Sequence, residues 1–188
     1  MDEMLRLAEA QPQIGTLCWA LYWLSFTCLI QRDFERAGAF ADRAVALGKE
    51  HGIGIWATAA ELSQAAAVVV ADPGRAAALI GISLSRLEAF ESRCYFHPTY
   101  LCFQGEALLR LGRVAEARRA IDGALAMTAS TRLSWWDAEL HRIRAAVIRA
   151  EGGGEAAVRN ALARALAIAE QQGSETFRRR AAADMHPR

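Results

Sequence analysis

The sequence predicts an all-α protein, more narrowly an α-solenoid of four antiparallel helical hairpins with a C-terminal capping helix. Three observations lead to this prediction. The 188 residues include 40 alanines and only 4 prolines, and alanine is the strongest helix former. No segment alternates apolar and polar residues over the length of a strand. Small residues recur every 40 positions, and such a fixed period is typical of a repeat architecture.

The repeat period rests on two columns of small residues. The first column is Ser25, Ala65, Gly105 and Ala145, and the second lies twelve residues further on, at Ala37, Ala77, Ala117 and Ala157. Where two helices cross, a small side chain lets the backbones approach so that the neighbouring large residues interlock. A hairpin with one such crossing cannot bury its apolar face alone, so we expect each hairpin to stack on the next.

Turn and cap signals divide the chain into elements that are in phase with these columns. Short turns fall at 32–34, 72–74, 112–114 and 152–154, and longer breaks at 51–54, 92–98, 129–132 and 171–174. The predicted hairpins pair helices 14–31 with 34–50, 55–71 with 74–91, 98–111 with 114–128, and 134–150 with 155–172. Residues 174–184 form the predicted capping helix, and the residues up to Ala10 are interpreted as the remnant of an earlier helix. We expect one repeat domain over residues 1–188.

Composition indicates a cytoplasmic protein without a nucleic-acid or membrane partner. The formal net charge is +1, so no global field would attract nucleic acid or an anionic membrane. The four cysteines (18, 28, 94 and 102) form no CxxC pair and no zinc-ligand spacing. The acidic N-terminus does not resemble a signal peptide. Residues 14–30 are uncharged and just long enough to span a membrane, but their small and hydroxyl residues fit the repeat register, so a buried core helix is the preferred interpretation.

The segment WWDAELHRIR, residues 135–144, is the strongest candidate for chemistry. Asp137 and His141 are four residues apart and share a helix face. A metal site needs more ligands, and no second histidine lies at helical spacing. We therefore interpret the segment as a helix with packed aromatics and solvated charges, and we predict no metal site.

Two other patterns were weighed as sites and rejected. Gly52, Gly54 and Ala57 match the GxGxxA dinucleotide fingerprint, but that motif requires a preceding strand and here a helix precedes it. Cys94 or Cys102 paired with His97 would make a nucleophile and base, but no third group is identifiable to orient them. We therefore predict no catalytic residue and no cofactor.

The residues of the third hairpin carry a family resemblance. Its spacing resembles that of the tetratricopeptide repeat, and the matching residues are Leu101, Gln104, Gly105, Leu108, Ala117 and Ile121. The present repeat differs in its longer period, 40 instead of 34 residues, and in having aliphatic residues in place of most large aromatics. Four segments, in order, look like the C-terminal repeat region of large bacterial signalling proteins: EHGIGIW (50–56), GEALLRLGRVAEA (105–117), WWDAELHRIRAA (135–146) and ALARALAIAEQQGS (161–174). In those proteins a cyclase-type domain and a P-loop ATPase module precede the repeats. The present sequence has no counterpart of either domain, so the resemblance implies a repeat region only.

A solenoid binds partners along its concave face, which the first helix of each hairpin lines. The side chains expected on that face lie 6 and 3 residues before each small position and 1 and 4 residues after it, because this spacing of three and four keeps to one helix face. The predicted partner-binding residues are Trp19, Tyr22, Phe26, Leu62, Glu106, Glu139, Arg142 and Arg149. This groove would be aromatic at one end and charged at the other, as suits a peptide or helix. Alternatively, the aromatic residues pack against a preceding repeat, and the exposed end predicts self-association or docking to another chain.

Two functional hypotheses follow from these expectations. The leading one is a non-catalytic module that binds a protein partner, or couples the domains of a longer parent protein, in bacterial signalling or regulation. The alternative is a sensor that holds a small metabolite in the groove, with Trp19 and Tyr22 among its contacts. The sequence does not decide between them.

Overall fold

The structure is a computed structural model and describes residues 2–11, 13–89 and 95–185. Throughout these residues the regular secondary structure is helical and there is no strand, which confirms the predicted all-α class. The helices are α1 (Asp2–Glu9), α2 (Ile14–Gln31), α3 (Phe34–Glu50), α4 (Gly54–Ala67), α5 (Pro73–Ala89), α6 (His97–Arg110), α7 (Val114–Thr131), α8 (Asp137–Ala150), α9 (Glu155–Gln171) and α10 (Glu175–Met185).

Most predicted helix bounds agree with these, and the departures have local causes. Helix α4 stops at Ala67, four residues before the predicted end, because the backbone nitrogens of Val68 and Val69 bond the carbonyl oxygens three residues before them and tighten the chain into a turn. Helix α7 runs three residues further than predicted, and Arg132, with φ 58°, then takes the left-handed conformation that ends it. Helix α8 begins three residues later than predicted, because Trp136 is its N-cap residue. The predicted end of the helix 74–91 lies outside the described residues.

The chain divides into two compact units, Met1–Cys94 and Tyr95–Arg188. In the first unit α3 packs against both α2 and α4, α5 packs against α4, and α1 packs against α2. The centre of this core joins Leu21, Ala44 and Ala60, one residue from each of α2, α3 and α4. In the second unit α8 contacts α6, α7, α9 and α10. That a single repeat domain covers residues 1–188 stays a prediction.

Small residues of the two columns meet at a helix crossing in the first and third predicted pairs. Ser25 is fully buried, and its Oγ donates a hydrogen bond of 2.7 Å to the carbonyl oxygen of Ala37. Ala65 and Ala77 are also buried. In the fourth pair Ala145 is buried, but its counterpart at position 157 is exposed in the first turn of α9.

The closest approach at such a crossing lies between α6 and α7. A Cβ atom at Gly105 would lie 2.7 Å from Cδ1 and 2.9 Å from Cγ1 of Ile121. The absent side chain therefore lets the isoleucine of α7 press against the backbone of α6.

The turn between α3 and α4 also depends on glycine. Gly52 has a φ of 68°, a conformation that glycine adopts without strain. On its two sides the helices approach so closely that a Cβ at Gly48 would lie 3.0 Å from the backbone nitrogen of Ala57. The GxGxxA pattern at 52–57 therefore forms a turn from helix to helix, as predicted.

Helix α2 is long and apolar enough to cross a membrane. Its 18 residues have a mean hydropathy of 1.4, and half of them are buried inside the protein. A core helix meets the same test of length and composition, and the buried residues of α2 include Leu21, Leu24 and Leu29.

Candidate functional site

The structure places the eight predicted partner-binding residues in two different environments. Trp19 has 45% of its surface exposed, and Arg149 is exposed near the end of α8. The other six are buried: Tyr22, Phe26, Leu62, Glu106, Glu139 and Arg142. Their role in partner binding stays a prediction, and in this conformation Trp19 and Arg149 are the two that present surface.

An aromatic cluster surrounds Trp19 in the first unit. We define it as Trp19, Tyr22, Trp23 and Phe26 of α2 together with Trp56 of α4. The four residues of α2 follow a spacing of three and four, which places them along one helix face. The rings of Trp19 and Trp23 meet edge to face with centroids 6.0 Å apart, and those of Tyr22 and Trp56 lie 6.1 Å apart. Each such pair contributes about 0.5–1.5 kcal/mol beyond its area burial, so the rings fix one another.

The exposed surface of this cluster is mostly tryptophan. Tyr22 and Phe26 are buried beneath it, whereas Trp23 and Trp56 are half-buried and Trp19 projects furthest. Rigid, partly exposed aromatic rings give a large contact area at a small cost in side-chain entropy. Trp23 and Trp56 were not predicted from the sequence, because neither lies at one of the four positions counted from a small residue. The signal that could have found them is the presence of tryptophan in α2 and in the first turn of α4.

An ion-pair cluster occupies the second unit. We define it as Glu139 and Arg142 of α8 with Arg180 and Asp184 of α10. Arg142 donates from Nη2 to Oε1 of Glu139 at 2.7 Å and from Nη1 to Oδ2 of Asp184 at 2.8 Å. Arg180 donates from Nη1 to the same glutamate oxygen at 3.4 Å. The two positive and two negative charges balance, so the cluster is neutral as a whole.

The central pair of this cluster, Glu139 and Arg142, is buried. Glu139 is 4% exposed and Arg142 9% exposed. Burial acts against the charge of Arg142, but Glu139 and Asp184 outweigh it and leave the pKa of the guanidinium above its usual value. Removing one partner of such a buried pair costs about 3–5 kcal/mol, because the other charge stays buried and unpaired. The contacts of these charges with Arg180 and Asp184 set the register in which α10 lies on α8.

Cys102 of α6 lies beside the ion-pair cluster. Burial raises the pKa of its thiol, the negative charge of Glu139 raises it further, and a hydrogen bond with Trp136 acts in the opposite direction. A protonated thiol is a poor nucleophile. The pairing considered between a cysteine and His97 thus has an unreactive thiol at Cys102, and Cys94 lies outside the described residues.

Asp137 and His141 lie in the first two turns of α8. Among the described residues no group of three or more His, Cys, Asp and Glu side chains is arranged to hold a metal ion. The pKa of His141 is lowered, first by burial and then by the nearby Arg144, while Asp137 raises it. The imidazole is therefore neutral at pH 7.

A small cavity of about 250 Å³ lies in the first unit beside the α3–α4 turn. Its charged lining is Lys49, Glu61 and Arg86. Glu61 pairs with both cations, with an oxygen 3.0 Å from Nζ of Lys49 and another 2.6 Å from Nη1 of Arg86. The remaining lining residues are Gly48, Gly52, Gly54, Ala57 and Thr58. The residues of the GxGxxA pattern thus border this cavity.

Comparison with known proteins gives one local similarity. No protein-family model matches the chain. A segment of 84 residues, 45% of the chain, is 36% identical to an uncharacterized protein of Rhizobium meliloti (strain 1021). The matched segment spans 8% of that protein's length.

Proposed function

We propose that the chain is a non-catalytic, tetratricopeptide-like helical-repeat module that binds a protein partner, in the cytoplasm, as part of bacterial signalling or regulation. The observation that carries the proposal is the aromatic cluster, which presents three neighbouring tryptophans, Trp19, Trp23 and Trp56, on the surface of the first unit. Partly exposed aromatic residues are enriched among the residues that contribute most to binding at protein interfaces.

Two further observations support the repeat arrangement. Helices of each unit pack in chain order, and small residues separated by twelve positions meet at the crossings of α2 with α3 and α6 with α7. A hairpin stack with period 40 requires such contacts. The relative from Rhizobium meliloti is much longer than the matched segment, which agrees with a repeat region that couples domains of a large protein.

The test is a selection for peptide ligands with matched surface variants. A displayed library of 16-residue peptides is panned against the wild-type chain, and the enriched peptides are then measured against Trp19→Ser and Ile82→Ser. Each variant removes one exposed apolar side chain, since Trp19 is 45% and Ile82 54% exposed, but Ile82 lies on α5 outside the aromatic cluster.

The two variants should behave differently. We expect the Trp19 variant to bind the selected peptides about 30-fold more weakly, the equivalent of about 2 kcal/mol for a central aromatic contact, and the Ile82 variant to bind like wild type. Failure to enrich any peptide, or equal loss in both variants, would refute the proposal.

The alternative, a metabolite sensor, has one observation in its favour. The cavity beside the α3–α4 turn is lined by charged and small residues, and not by Trp19 and Tyr22 as the alternative required. Its size is slightly below that of usual ligand pockets. A panel of metabolites tested for saturable quenching of tryptophan fluorescence, with Arg86→Ala as control, would support the alternative if one compound bound wild type and lost affinity for the variant.

A further inference from the structure

Helix α10 lies on α8 and α9 in the manner of a peptide helix bound in a groove. Phe177, Arg180, Ala181 and Asp184 are spaced by three and four residues, and they form the face that contacts the rest of the unit. This is the anchor spacing by which amphipathic helices recognise partner surfaces. The structure thus contains one example of a helix that this face of α8 binds.

The anchors of α10 meet specific groups on the surface beneath. The ring of Phe177 lies edge to face on Trp136 with centroids 5.0 Å apart. Three residues on, Arg180 reaches Glu139, and a further turn along, Asp184 reaches Arg142 at 2.8 Å. The surface below α10 therefore has an aromatic site, an acidic site and a basic site in a fixed order.

The attachment of α10 depends on few apolar contacts. Of its described side chains only Phe177 and Ala181 are buried, and Met185 adds a partly buried contact to the core of α8 and α9. Within the described residues Nε of Arg142 is buried without a hydrogen-bond acceptor, which is unfavourable. A short helix with little apolar burial opens at a lower free energy than the core helices.

We propose that α10 is a displaceable plug, and that the face of α8 beneath it binds a partner helix of the same chemistry. That partner carries an aromatic residue, a basic residue three positions later and an acidic residue seven positions later, as Phe177, Arg180 and Asp184 do. Such a helix satisfies the same charges and competes with α10 for them. The inference rests on the proposed function, because a plug regulates binding only in a module that binds proteins.

The test uses the full chain and a fluorescein-labelled peptide of residues 174–185, followed by fluorescence anisotropy. The wild-type chain is compared with a full-length variant, Phe177→Ala with Asp184→Ala, in which α10 is weakened and the surface of α8 is intact. The control peptide carries Phe177→Ala and Asp184→Arg. The apparent affinity equals the intrinsic affinity multiplied by the fraction of molecules in which α10 is displaced. Since the weakened variant has a larger displaced fraction, we expect it to bind the native peptide at least about tenfold more tightly than wild type does.

Three results would overturn the proposal: no binding of the peptide to the folded variant, equal binding to variant and wild type, or equal binding of the control peptide. A second measurement covers a variant that does not fold. In hydrogen exchange of the wild-type chain, the amides of α10 should exchange faster than those of α8 and α9. Equal protection in all three helices would mean that α10 opens only with the whole unit and is no plug. The peptide selection that tests the proposed function measures binding at Trp19, which lies in the first unit. Its outcome is therefore independent of the anisotropy and hydrogen-exchange results for α10.

Discussion

Replacing Gly105 by alanine tests whether the small residues set the distance between helices. The new Cβ would lie 2.7 Å from Cδ1 of Ile121, roughly 0.8 Å inside the closest favourable separation of two carbon atoms. Ile121 is 1% exposed, so its side chain cannot relieve the clash by moving into solvent. Overpacking of this kind costs about 1–3 kcal/mol, whereas alanine gains about 0.5–1 kcal/mol over glycine inside a helix. We expect a net loss of about 1 kcal/mol in the free energy of unfolding.

A second substitution shows whether the clash is the cause. Ile121→Val removes Cδ1 and by itself costs about 0.5–1.5 kcal/mol. In the double variant the 2.7 Å approach to Cδ1 is gone, and only the 2.9 Å approach to Cγ1 remains. The loss should therefore be smaller than the sum of the two single losses by about 1 kcal/mol.

The assay is urea denaturation followed by far-ultraviolet circular dichroism, with Gly123→Ala as the control. A Cβ at Gly123, on α7, meets nothing within 4 Å, so alanine there should stabilise the protein by about 0.5–1 kcal/mol. The reasoning is refuted if the two changes at the crossing are additive within about 0.5 kcal/mol, or if alanine stabilises the protein equally at both glycines.

Three further predictions concern stability. Gly48→Ala should destabilise the protein by about 1–2 kcal/mol in the same assay, because its Cβ would press on the backbone of Ala57. Since burial lowers the pKa of His141 in the folded state, wild type should lose stability as the pH falls from about 6.5 toward the folded pKa, and His141→Gln should lose less over that interval. Arg142→Met should lower the free energy of unfolding by about 3 kcal/mol, because it leaves the charge of Glu139 buried and unpaired. A double variant that also has Glu139→Gln should be more stable than this single variant, and a less stable double variant would argue against an unpaired charge as the cause.

Helix positions were predictable from the sequence where a local signal fixes them. Asp33 follows α2 and caps α3 by accepting a hydrogen bond from the backbone nitrogen of Arg36, and the predicted bounds of both helices agree with the structure. The start of α8 was predicted three residues too early, because tryptophan gives no capping signal that would place Trp136 before the first turn. Its ring instead packs on Phe103 and Phe177, which are contacts between distant parts of the sequence.

The candidate sites were only partly predictable for the same reason. Helical spacing correctly places Tyr22 and Phe26 on one face of α2, but spacing does not tell whether another helix covers that face. Arg142 was predicted as a surface charge, and its partner Asp184 lies 42 residues further along the chain. Pairing over that distance depends on the packing of α10 against α8, which no local pattern encodes.

The ion-pair cluster gives the attachment of α10 a particular dependence on temperature. Glu139 and Arg142 are buried, whereas Arg180 and Asp184 of α10 are partly exposed. The loss of hydration of Glu139 and Arg142 opposes the contact, and that hydration becomes less favourable as temperature rises. Warming therefore reduces the cost of covering Glu139 and Arg142 with α10, while apolar contacts gain little. Relative to the rest of the fold, the attachment of α10 should therefore be weakest at low temperature. Cooling would then favour the form in which α10 is displaced from α8.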